Sequence, residues 1–206
     1  MAINCSAANL SFLSFNSPLS QGPLTISVWF KKTVTETSNI FVMYSGDVRV
    51  ALVTADDGRV ILLEFDTASS TAGSTTTYAL NSWNHVCGVI ASSTSRTIYL
   101  NGGGSFTNTG LRSATGMTSA RVGSSHLGSG GGGSLNGDVA ELAIWNAALT
   151  QSEVSTLSKG IMSDRVRNEN LIFYSPLIRN LQDVKGALPI TNNNGATVSI
   201  HPRIYT

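Results

Sequence analysis

This sequence predicts an all-β chain, an antiparallel β-sandwich with one short helix, on three observations. Short apolar runs follow one another at regular spacing, many of them alternating with polar residues and separated by Gly, Asn, Asp and Ser turns. Only one segment has helical periodicity. The 206 residues, 41% of them hydrophobic, suit one sandwich with a substantial core.

Leu10, Phe12 and Phe15 alternate with serines, as in a strand with one buried face. Leu24-Thr25-Ile26-Ser27-Val28-Trp29-Phe30 is a longer alternating strand. Ile40 to Tyr44 and Val48 to Val53 are β-rich runs joined by a Ser45-Gly46-Asp47 turn. Asp56-Asp57-Gly58-Arg59 is a second turn, leading into Val60 to Phe65. Residues 66–77 carry no periodic apolar signal and read as a loop. Trp83 to Ile90 and Arg96 to Asn101 are the next strands, and Gly102-Gly103-Gly104 closes a turn. Gly128 to Ser134, with its four-glycine run, reads as a surface loop rather than a linker. Asn136-Gly137 turns the chain into an alternating strand that ends at Trp145. Thr150 to Lys159 is the helix. Thr150 and Glu153 make a capping box, Val154 and Leu157 share one side, and Gly160 stands at the C-terminal cap. Ile172 to Leu177 and Thr197 to Ile200 close the chain.

Three motifs in this order carry a family resemblance. They are Trp83-Asn84-His85-Val86, Tyr99-Leu100-Asn101-Gly102, and the strand Gly137-Asp138-Val139-Ala140-Glu141-Leu142-Ala143-Ile144-Trp145. Together with the Trp29 strand they resemble the laminin G-like, or concanavalin A-like, jelly roll. The resemblance spans roughly residues 8–202, implying one domain over 1–206 and no second core. The scaffold hosts lectins, glycosidases, adhesion modules and virion proteins, so fold alone does not assign function.

Charged residues are only 12% of the chain and the formal charge is +1. Polarity comes instead from 28 Ser, 21 Thr and 16 Asn, which build no strong field. The densest basic group, Arg165, Arg167, Arg179 and Lys185, is interrupted by Glu169 and Asp183, which argues against nucleic acid. Cys5 and Cys87 allow at most one disulfide. Cys87, inside an apolar strand, reads as a small buried hydrophobe, and their pairing is left open. Residues 1–9 lack the basic and apolar segments of a secretory leader, and no run reaches membrane-spanning length.

Glycoside hydrolysis needs two carboxylates flanking one bond. Hydrolases of the resembled family place them as E-x-D-x-x-E on one strand. This chain offers only Asp138 and Glu141, whose odd spacing puts them on opposite faces of a regular strand. No G-x-S-x-G, H-E-x-x-H or phosphate-loop motif is present, and His85 reads as a locally bonded strand residue. The expectation is a protein that is not an enzyme. Calcium at a sheet rim is a family property, and Asp56-Asp57-Gly58 offers a partial site, although an ordinary turn explains it as well. All three tryptophans sit at framework positions. That leaves Tyr78, Tyr99, Phe106, Arg121 and His126 as candidate sugar-binding rim residues.

The resemblance implies a structural protein of a virus particle, such as a bacteriophage capsid decoration or head-surface protein, made in the host cytoplasm. Its partners would be other virion proteins and further copies of itself, with residues 1–9 or 201–206 as docking ends. The alternative is a carbohydrate-binding module attaching to host glycans.

Overall fold

The computed structural model describes residues 2–127, 133–178 and 181–205. Strands are numbered along the chain, and among the described residues they form two antiparallel sheets. The eight-stranded sheet runs β10 (Gly103–Asn108), β9 (Ser95–Leu100), β8 (Asn84–Ser92), β3 (Leu24–Lys32), β12 (Gly137–Trp145), β1 (Ala2–Cys5), β15 (Thr197–Ser199), with β13 (Leu171–Ser175) also paired to β12. The seven-stranded sheet runs β14 (Thr191–Asn193), β2 (Phe12–Asn16), β11 (Ser119–Val122), β4 (Ser38–Ser45), β5 (Val48–Thr54), β6 (Val60–Phe65), β7 (Ser69–Gly73). The expected sandwich is the observed one.

The core lies between the sheets and follows from strand alternation. Leu24, Ile26, Val28 and Phe30 of β3 point inward, where Phe41, Met43, Leu52 and Leu62 of the opposite sheet meet them. Each such side chain contributes about 1.5–3 kcal/mol by leaving water. Gly88 on β8 is the exception that allows close approach. A Cβ there would lie 2.9 Å from Leu52 Cδ2 and from Leu62 Cδ1.

Buried charges tie the two sheets at separate places. Arg96 of β9 donates from Nε to Glu64 Oε2 of β6 at 2.8 Å, with both side chains almost wholly out of water. Glu64 Oε1 also accepts from Ala114 N at 2.8 Å, and Arg96 Nη1 donates to Gly110 O at 2.6 Å. Lys32 of β3 reaches Ser38 and Thr54 of the opposite sheet through Nζ.

The outer face of the eight-stranded sheet is also covered. Helix α1 (Gln151–Ser158) brings Val154 and Leu157 onto Cys87, Val89, Ala143 and Trp145. Its capping box is as the sequence predicts: Glu153 N donates to Thr150 Oγ1 at 3.4 Å, and Thr150 N donates to Glu153 Oε2 at 2.7 Å. Gly160, at φ +83, takes the left-handed position just past the helix.

Several expectations are corrected. In β2 the phase is shifted by one: Leu13 and Phe15 are buried, while Phe12 is half-exposed on the outer face. Two adjacent apolar residues, Phe12 and Leu13, made either phase readable. Residues 66–77 are not all loop, because Ser69–Gly73 pairs with β6 as β7. An edge strand of small polar residues carries no apolar alternation. Asp138 and Glu141 do not lie on opposite faces. The register against β3 slips between Ala140 and Ala143, and Glu141 sits there at φ +56. This bulge inserts a residue, so both carboxylates reach outward groups. Asp138 bonds Lys31 Nζ and Asn4 Nδ2, each at 2.8 Å, and Glu141 accepts from Tyr174 Oη.

The chain ends are used within the fold. Ala2, Ile3 and Cys5 are buried in β1, between β12 and β15. His201 bonds Glu141 at 2.9 Å, and Tyr205 bridges to Ile161. Cys5 and Cys87 are both free. They belong to clusters on opposite faces of one sheet, which precludes their pairing. Burial pushes the Cys5 thiol up to about 12 and raises that of Cys87 as well. Gly128 to Gly132 of the glycine run lies outside the described residues.

Candidate functional site

The helix lies over the eight-stranded sheet, and on the outward face of the seven-stranded sheet Phe12, Ser14, Tyr44, Arg49, Phe65 and Arg121 are half-exposed while Val42 and Ala51 are buried among them. Strand pairing aligns them in rows. One row reads Asn16, Ser119, Tyr44, Arg49, Phe65 and Ser69 across β2, β11, β4, β5, β6 and β7. The next contains Thr191, Ser14 and Arg121, followed by Val42, Ala51 and Leu63. Aromatic, hydroxyl, amide and guanidinium groups therefore alternate over one surface.

A groove of about 370 Å³ opens at the β14–β2–β11–β4 end of this face. Its lining includes Phe12, Ser14, Asn16, Tyr44, Arg121 and Asn193. Arg121 is at its centre of interactions, with the guanidinium carbon 5.1 Å from the Phe12 ring centroid and 5.1 Å from that of Tyr44. Its Nη1 donates to Ser125 O at 2.9 Å and to His126 O at 3.2 Å. The His126 ring packs edge-on to Tyr44 at 6.2 Å. Burial, and then the charge of Arg49, hold the His126 imidazole below its ordinary value against the opposing pull of Asp47. Asn193 Nδ2 donates to Ser14 Oγ at 2.9 Å, fixing the far wall.

Of the five residues proposed from sequence, the structure brings together Arg121 and His126. Tyr78 is not a rim residue. It is 5% exposed and packs edge-on against Phe30 in the core, because its segment folds back over the end of β3. Tyr99 and Phe106 belong to the other sheet. Tyr99 is half-buried beside Cys87, and Phe106 is 48% exposed on edge strand β10. Neither joins the groove. Phe12 and Tyr44 were missed as site residues. Phe12 was hidden by the wrong strand phase, and Tyr44 by its place at the end of an apolar run.

Other candidates are accounted for locally. Asp57 accepts from Arg59 N at 3.0 Å and from Arg59 Nε at 2.7 Å, so its two oxygens close their own turn. No group of three acidic, His or Cys side chains converges among the described residues, and Asp56 and Asp57 as arranged do not fit calcium. His85 bonds Ser27 Oγ through Nε2 at 2.8 Å, and complete burial pulls its pKa down to about 3. Trp145 is buried and donates to Val166 O at 2.9 Å, whereas Trp29 and Trp83 are half-exposed on the strand framework. In the basic group, Arg167 pairs with Glu153 at 2.7 Å and Lys185 Nζ donates to Asn168. Arg179 lies outside the described residues. No helix of the described residues is long and apolar enough to cross a membrane.

Comparison with known proteins agrees with this architecture. The family model described as the concanavalin A-like lectin/glucanases superfamily matches residues 7–155. The native heptameric SAP-like pentraxin of Limulus polyphemus superposes with a TM-score of 0.67 at 21% identity, covering 97% of this chain and 94% of that one. A putative carbohydrate binding protein of Bacteroides ovatus gives 0.67 at 16% identity, covering 99% of this chain and 61% of its own. The CBM40 of the Ruminococcus gnavus IT-sialidase, bound to α2,3-sialyllactose, gives 0.59 at 15% identity, covering 76% and 96%. No curated protein matches the chain.

Proposed function

The chain belongs to the concanavalin A-like lectin/glucanases superfamily, and we propose that it is a non-enzymatic carbohydrate-binding module. Its sugar site on this reading is the groove on the outer face of the seven-stranded sheet. One observation carries the reading: Phe12 and Tyr44 present rings on either side of Arg121, in a groove otherwise edged by hydroxyl and amide groups. Sugars have apolar C–H faces and polar rims. A site that binds them needs an aromatic platform and a few convergent hydrogen-bonding groups.

Binding without hydrolysis is supported by the composition of the lining. Glycosidases need a carboxyl pair across the scissile bond, and the described residues lining this groove are all non-acidic. Calcium has no part in this reading.

The test is a glycan array probed with the intact chain, with Phe12→Ala and with Tyr44→Ala. Binding should survive chelator and fall about tenfold or more in each variant, as truncation of an aromatic anchor does. Undiminished binding by both variants would place the site elsewhere. Release of reducing sugar from the bound glycan would overturn the non-enzymatic reading.

A finer reading sets the module on a virus particle as a bacteriophage decoration or head-surface protein. Its support is the weakly charged surface, rich in Ser, Thr and Asn, and the family resemblance. Purified particles would then contain the chain in many copies, and its absence from them would rule the role out.

A further inference from the structure

We infer that the sugar held by this groove bears a carboxylate, received by the side of the Arg121 guanidinium. The inference rests on the groove being a glycan site and adds the class of glycan.

Arg121 is fixed on three sides. Phe12 and Tyr44 flank it, each ring centroid 5.1 Å from the guanidinium carbon. Nη1 is spent on the carbonyls of Ser125 and His126. Nε and Nη2 have no hydrogen-bond partner among the described residues. Those two N–H groups form the lateral fork of an arginine, and a fork of parallel donors matches the two oxygens of one carboxylate.

Arg121 has no carboxylate partner among the described residues, whereas the cations paired elsewhere in the fold do. Lys31 has Asp138 at 2.8 Å, Arg59 has Asp57 at 2.7 Å, Arg96 has Glu64 at 2.8 Å and Arg167 has Glu153 at 2.7 Å. No described acidic residue lines the groove. Asp47, on the β4–β5 turn, faces His126 Nε2 at 3.7 Å. A half-buried cation held in place without a carboxylate is pre-organised for one from outside, because little ordering is left to do on binding. A phosphate dianion calls for a second cation. Arg49, the next on this face, is instead held over the Phe65 ring at 4.3 Å and donates to Asp47 O at 2.7 Å. One free fork and a neutral surround fit a single carboxylate on an otherwise uncharged sugar.

The experiment titrates the full chain calorimetrically with uronate and sialate oligosaccharides, each beside its own methyl ester, so that only the charge differs. The acid should bind about tenfold or more tightly than its ester, the scale of one charge-assisted bidentate contact. Added salt should narrow the gap. Arg121→Gln should erase the preference, so that acid and ester bind with equal affinity, and Arg121→Lys should restore only part of it. Equal affinity for acid and ester in the wild type overturns the carboxylate inference and leaves the glycan site standing. So does a preference that survives in Arg121→Gln. Failure to bind any glycan, acidic or neutral, overturns the glycan reading itself and this inference with it.

Discussion

His201 Nε2 stands 2.9 Å from Glu141 Oε1 and fastens the last described turn of chain to the bulge in β12. Burial lowers the His201 pKa, but its hydrogen bonds to the Glu141 carboxylate and the Pro202 carbonyl outweigh this and raise it above 6.5. A histidine with a raised folded-state pKa stabilises fully below the unfolded value and loses that contribution as pH rises through the folded one. His85 has the opposite sign. Its pKa, pulled by burial from 6.5 to about 3, makes folding less favourable as pH falls below 6.5. Thermal melting should therefore show a loss of stability on each side of a near-neutral maximum. His201→Gln should flatten the alkaline side alone. An alkaline limb unchanged in that variant would show that the Glu141 contact does not stabilise the fold. This pairing is not legible in the sequence, since residues 141 and 201 meet only because the final segment crosses back over β12.

Apolar alternation marks the interior strands and is absent from the edges. β3 and β12 are long and apolar enough to be read directly, whereas β7, Ser69–Gly73, has only Ala72 buried against the core. β1 and β14 are short and take their pairing from distant neighbours. Inward charge was equally hidden: Arg96 and Glu64 look like solvated strand residues until the two sheets stack them. Removing one partner of such a buried pair leaves the other charge without compensation. Glu64→Ala should cost about 3–5 kcal/mol in denaturant unfolding. The double variant Glu64→Leu with Arg96→Met should recover most of that loss, because no bare charge remains. A single variant as stable as the parent would show that the pair is not what ties β6 to β9.

For the whole molecule, the order of motifs from Trp83 to Trp145 was enough to read the sandwich and its helix. The groove was not legible in the same way. Phe12, Tyr44, Arg121 and Asn193 are far apart in sequence and share a surface only because β2 sits between β14 and β11, with β4 beyond. No local spacing encodes that neighbourhood. Arg121 and His126, like Tyr78, Tyr99 and Phe106, are candidates by residue type alone, and the fold brings only those two together. The fold sends Tyr78 into the core and Tyr99 and Phe106 to the other sheet. Amide chemical-shift mapping of the full chain during titration with a bound oligosaccharide reads the groove residue by residue. The shifts should cluster on Phe12–Asn16, Ser119–Val122, Tyr44 and Thr191–Asn193. A cluster around Tyr99 and Phe106 on the other sheet, or at the Asp56-Asp57 turn, would contradict the groove as the sugar site.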